Sequence, residues 1–154
     1  MDEFYGWSQD LNATRMKKEF YPFLAKDQLF PLGYIAQCSG HTRGSTLDMT
    51  IAPHPPAPEQ HYVPGVTQLE PCMAPEGVRF RDNSLDFGTG FDCFSEVAHT
   101  DFPVVPLVHQ RREALVALMK TANFTNLPTE WWHFTWDQEP FPTTYFNFPL
   151  CEVN

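Results

Sequence analysis

Seven of the chain's 15 prolines lie between Pro53 and Pro75, and this cluster limits the fold more than any other feature. Proline donates no backbone hydrogen bond and holds φ near one value, so it is shut out of helix interiors and central strands. The stretch from Pro53 to Arg81 is therefore expected to run as a long irregular excursion, of the kind that serves as a lid or binding element. Regular structure has to come from its flanks. The prolines are mixed with 14 Phe in a chain that is 42% hydrophobic, a composition that builds a core and not a disordered tail. With 154 residues, the expectation is a single domain over 1–154.

On the flanks, Tyr34-Ile35-Ala36 and Leu47 to Ile51 read as two strands around the polar segment SGHTRGST. Phe4, Trp7 and Leu11 are spaced as one face of a helix over Asp2 to Leu11, and Asn12 to Leu32, interrupted by Pro22 and Pro31, reads as a packed connector. The clearest helix lies within Val104 to Ala122. There Val108, Leu115, Leu118, Met119 and Ala122 share a face, Pro106 suits the first turn, and Gln110 to Glu113 supply polar turns. Glu130 to Phe134 and Tyr145 to Phe148 are aromatic and strand-like. No apolar run approaches the roughly 18 residues of a membrane span. With 10 Lys and Arg against 19 Asp and Glu, the net charge of -9 repels phosphate backbones, which disfavours a nucleic-acid partner.

Four residues carry chemistry in an otherwise apolar context: His41 and Asp48 in SGHTRGSTLD, and Glu130 and His133 in EWWH. Two imidazoles and a carboxylate make a first shell for one zinc ion, with a fourth position open. A second carboxylate is then free to act as base: the ion polarises the scissile carbonyl and acidifies a water while a Glu moves the proton. Gly44 permits a tight turn between His41 and Asp48, and a bent or bulged strand would present Glu130 and His133 together. The plainer alternatives are a surface His–Asp pair and a set of core aromatics. Against them stands the cost of burying an unpaired His, Asp or Glu inside an apolar strand.

SGHTRGSTLD fits the SxHxxGxxxD motif, and EWWHF the ExWH motif, of the zinc D-alanyl-D-alanine peptidases, and the chain most resembles their VanX-type D-Ala-D-Ala dipeptidases. The resemblance runs from about Gly33 to Phe148 and includes FDCFSEVAHT and PFPTTYFNFP. It implies an α+β fold, a small antiparallel sheet with helices packed on one side. It also implies His41, Asp48 and His133 as zinc ligands, Glu130 as general base, Ser39 near the substrate carboxylate and Asp92 near its ammonium. The implied reaction is hydrolysis of the D-Ala-D-Ala dipeptide. The alternatives are a D,D-carboxypeptidase of peptidoglycan stem peptides and a zinc-binding remnant with impaired catalysis.

The resemblance departs at one place. Family members have an upstream arginine, in a segment resembling YRP, that stabilises charge on the substrate carbonyl oxygen, and this chain has no such segment. Its first residues resemble the helix that follows, so the expectation is a domain lacking its N-terminal part. Losing an oxyanion-stabilising group costs about a hundred- to a thousandfold in rate. Arg43, inside the first motif, is either a partial substitute or a loop-anchoring arginine. Among the four cysteines, Cys72 and Cys93 are either a disulfide pinning the excursion beside the site or two buried thiols, and Cys38 is expected to face the core. A disulfide and a peptidoglycan-derived substrate together suit the periplasm, although no signal-peptide pattern occurs in this sequence.

Overall fold

The computed structural model describes residues 2–147. Its regular structure is sparse and concentrates where the prolines are few. Helix α1 (Asp2–Gln9) and the single turn α2 (Lys17–Phe20) precede strand β1 (Thr46–Asp48), and helix α3 (Pro106–Thr121) is followed by β2 (Phe124–Asn126) and β3 (His133–Trp136). The three strands form an antiparallel sheet in the order β1-β3-β2. Together with the helices this is a small α+β fold.

Helix α3 starts at Pro106, whose missing N–H is no loss in a first turn, and buries a stripe made by Val108, Arg112, Leu115 and Met119. Leu118 and Ala122, assigned to that stripe from sequence, face outward, and Arg112, read from sequence as part of a polar turn, faces inward. Leu115 and Met119 of the stripe pack with Phe87, Ala98, Trp131, Trp132 and Phe134 into the core. Phe87 stacks on Trp131 with centroids 4.3 Å apart, and the Trp131 indole N–H donates to the Thr89 hydroxyl at 2.9 Å.

Arg112 is fully buried without contacting a carboxylate. Its guanidinium donates instead to the carbonyls of Phe87 (2.9 and 2.6 Å), Val97 (2.9 Å) and His99 (2.6 Å), tying two loops to the helix. Burial lowers its pKa to about 10, which still leaves it cationic at neutral pH. Gly88 makes this approach possible: it has φ +88, and an added Cβ would lie 2.9 Å from Val108 and 3.2 Å from the guanidinium.

Three expected elements differ. Tyr34 to Ala36 is not a strand, because Ile35 N–H bonds back to the Leu29 carbonyl (3.1 Å) and Tyr34 packs on Phe94. Of the three residues assigned to the buried face of the first helix, Trp7 packs against Tyr21 and under the Lys26 ammonium, whereas Phe4 and Leu11 are exposed. Tyr145 to Asn147 is irregular, with Phe146 N–H donating to the Thr42 carbonyl at 2.8 Å; Phe148, Pro149 and Cys151 lie outside the described residues. The excursion Pro53 to Arg81 contains no helix or strand. Its end is anchored by a disulfide between Cys72 and Cys93, both buried, while Cys38 is exposed and does not face the core.

Replacing Arg112 by Met removes the donors of three carbonyls at once, each worth about 1–3 kcal/mol when left unpaired in the interior. Arg112→Met is expected to lose about 3 kcal/mol or more in urea unfolding, with an unchanged denaturant slope.

Candidate metal centre

The pairing of β1 with β3 sets Asp48 directly across from His133. Side chains at paired positions of neighbouring strands point to the same face. His41 reaches that face from a 3-10 helix over Gly40–Arg43, which ends at Gly44 in the left-handed conformation (φ 81) before the chain enters β1. The Ser39 hydroxyl begins this helix by accepting from His41 N–H at 3.3 Å. His41 Nδ1 lies 3.2 Å from the Thr46 carbonyl, and since a carbonyl only accepts, Nδ1 carries the proton and Nε2 presents its lone pair to the site.

The ligand atoms converge. His41 Nε2 is 3.5 Å and His133 Nδ1 3.3 Å from Asp48 Oδ1, and the three residues offer ligand atoms within 4.8 Å of one another. Asp48 Oδ1 is buried yet makes no hydrogen bond, an orphaned acceptor between two imidazoles. Two nitrogens and one carboxylate oxygen around such an atom fit a divalent cation well. Glu130 sits in the turn before β3, not on a bulged strand, and its Oε2 lies 3.2 Å from His133 Nδ1.

The site's charge is lopsided. Burial alone would lower the pKa of His133, but the adjacent carboxylates of Asp48 and Glu130 raise it to about 9. Asp92, with φ 54, is pushed up to about 7 by burial first and then by Asp48 and Glu130, with His133 opposing. Three carboxylates within mutual electrostatic reach make this a place for cations.

Arg43 does not supply the balance. Its Nε donates to Glu139 Oε2 at 2.8 Å, the Ser45 hydroxyl donates to the same oxygen at 2.7 Å, and its guanidinium lies 5.7 Å from the centre of the Tyr145 ring. It is the anchor of the first-motif loop, clasped to the segment after β3. Glu139, which holds it, went unnoticed in the sequence, where a lone acid beside a proline carries no signal. Of the excursion, Met73 joins the wall of the roughly 560 Å³ cavity beside Glu130, and Pro53, Ala57, Glu76, Gly77 and Arg79 to Arg81 line a separate cavity of about 430 Å³.

Comparison with known proteins agrees with this geometry. A family model described as D-ala-D-ala dipeptidase matches residues 79–151, covering Asp92, Glu130 and His133. The D-alanyl-D-alanine dipeptidase of Streptomyces coelicolor is 31% identical over 152 residues, 98% of this chain and 63% of that protein. Both this alignment and the next include His41 and Asp48 within their reach. The chain is similar to D-Ala-D-Ala dipeptidases and carries a His/Asp/His triad able to hold a metal ion. The D-alanyl-D-alanine dipeptidase of Enterococcus faecalis is 29% identical to this dipeptidase-like chain over 151 residues, 97% of the chain and 62% of that protein. The chain thus spans a little over three fifths of the length of these curated relatives. Among the described residues, no helix of the dipeptidase-like chain is long and apolar enough to cross a membrane.

The raised pKa of His133 sets a stability window in the metal-free protein. Its extra stability is fully present below the unfolded pKa near 6.5 and is lost as pH rises through about 9. In chelator, the wild type is expected to lose stability relative to His133→Gln across that interval, as measured by urea unfolding at a series of pH values.

Proposed function

We propose that this chain hydrolyses the D-Ala-D-Ala dipeptide, using one zinc ion held by His41, Asp48 and His133. The observation that carries the reading is the orphaned Asp48 Oδ1 between two imidazoles, with Glu130 Oε2 3.2 Å from one of them. Bound there, the metal supplies Lewis-acid polarisation of the scissile carbonyl. Glu130 acts as general base: its Oε2 takes a proton from the attacking water and returns it to the departing amine nitrogen. Asp92, half-buried near Asp48 and Glu130, gains from any cation set against it, and the substrate ammonium is that cation. Ser39 accepts from His41 N–H and retains its own proton to donate to the substrate carboxylate.

Zinc is favoured over calcium or magnesium by the two imidazole donors, since those harder ions prefer all-oxygen shells. The periplasm is proposed as the location, supported by the Cys72–Cys93 disulfide and by a substrate derived from the cell wall. A second reading, a zinc protein with impaired turnover, is favoured by one observation: the Arg43 guanidinium is committed to Glu139 and does not replace an oxyanion donor.

Zinc content and D-alanine release from the free dipeptide, measured together, separate these readings. The wild type is expected to hold one zinc per chain and release D-alanine. Glu130→Ala is expected to keep the zinc and lose at least about a hundredfold in rate, and His133→Ala to lose the zinc. Faster cleavage of a muramyl pentapeptide would overturn the dipeptidase assignment, and stoichiometric zinc without hydrolysis of either substrate would support the impaired form.

A further inference from the structure

The turn that carries Glu130 and His133 is closed from outside by one side chain. Asn126, the last residue of β2, is half-buried and paired with Phe134. Its Nδ2 donates to the Glu130 carbonyl at 3.0 Å and to the His133 carbonyl at 3.0 Å. Its Oδ1 accepts from the Thr100 hydroxyl at 2.6 Å. Because carbonyls only accept, the amide nitrogen must be the end that faces them. Thr100 is in turn fixed through its N–H to the Pro128 carbonyl at 2.9 Å, inside the same turn.

The geometry has a purpose. In a regular strand, residues three apart point to opposite faces, so Glu130 and His133 would be separated by the sheet. The turn overcomes this, bringing Glu130 Oε2 to 3.2 Å from His133 Nδ1. The backbone bonds within the turn are Glu130 N–H to the Leu127 carbonyl (3.0 Å), Leu127 N–H to the His133 carbonyl (2.9 Å) and His133 N–H to the Glu130 carbonyl (3.3 Å). Only the Asn126 nitrogen bonds both residues' carbonyls from one atom, among the described hydrogen bonds.

We propose that Asn126 is a positioning residue, setting the distance between the base Glu130 and the metal ligand His133 through their backbone. This rests on the roles given to those two residues above. Asparagine suits the task because one nitrogen supplies two donors while the adjacent oxygen is locked by a hydroxyl. Aspartate in its place turns one acceptor oxygen toward the two carbonyls, and alanine leaves both carbonyls without this donor. Neither Asn126 nor Thr100 belongs to the ligand set, so both act on the site only through the turn.

The test compares wild type, Asn126→Asp and Thr100→Val, each well below its melting midpoint. Zinc affinity is measured by competition with a chelator, and kcat and KM on D-Ala-D-Ala at saturating zinc. Asn126→Asp is expected to bind zinc about 10- to 100-fold more weakly and to lose kcat to a similar extent, with KM within about twofold of wild type. Thr100→Val, nearly isosteric, is expected to weaken zinc binding by about tenfold or less through the freed amide, and it carries the test if the aspartate variant does not fold. Wild-type zinc affinity in the folded variants would overturn the proposal. A wild type that binds zinc but leaves D-Ala-D-Ala intact would sink the substrate reading instead, while weaker zinc binding in the variants would still support the positioning role.

Discussion

The register between β1 and β3 is the constraint on which the rest depends. Asp48 faces His133 because Leu47 faces Phe134 and Thr46 faces Thr135, and a slip of one residue would turn Asp48 and Leu47 to the wrong sides of the sheet. Burial enforces the register. Phe134 is wholly buried, with Leu47 packed against its core, so a slipped strand would bury a carboxylate and expose a leucine. The Thr46 and Thr135 hydroxyls, 3.0 Å apart, add a polar rung to the face that carries the ligands. The Trp136 N–H to Ser45 carbonyl bond (2.9 Å) and the Met49 N–H to Trp132 carbonyl bond (2.8 Å) continue the pairing beyond both ends of β1. Hydrophobic burial on one side of a three-residue strand thus places a metal site on the other.

What was legible in the sequence follows from what is local. Helix α3 could be read because its apolar spacing and Pro106 act within one element, and the meeting of His41, Asp48 and His133 could be expected because two motifs join residue types that suit a metal. Arg112 could not. It lies four residues after Val108, in the buried stripe, but its partners are main-chain carbonyls of loops that no side-chain pattern reveals. Tyr34 to Ala36 failed as a strand for a related reason: β propensity matters only when a partner edge is present, and here the chain folds back on Leu29 instead. Glu139 and Asn126 were equally silent, since each acts across a separation in sequence that only the fold closes.

The electrostatics of the site run against the protein's own balance. A chain of net charge -9 gathers Asp48, Glu130 and Asp92 in one neighbourhood, and it spends Arg43 outside it, on Glu139. Such an arrangement is stabilised by what it binds. On the proposed reading, a divalent ion and the ammonium of a zwitterionic dipeptide would offset the three carboxylates. With its pKa raised to about 9 by the neighbouring carboxylates, His133 would release a proton on taking up a metal ion.

The disulfide gives the two ends of this site different kinds of attachment. His41, Asp48 and Glu130 are held by strand pairing, a clasped loop and a hydrogen-bonded turn, all of which form in any compartment where the chain folds. Asp92 is the neighbour of Cys93, whose covalent bond to Cys72, together with the Gly90 N–H to Cys72 carbonyl bond (2.7 Å), moors its loop to the end of the proline-rich excursion. The disulfide lies in the same core as Trp131, Trp132 and Phe134, so it fastens the Asp92 loop to the packing beneath Glu130 and His133. A reduced chain would lose that covalent tie and keep only packing and hydrogen bonds to hold the loop.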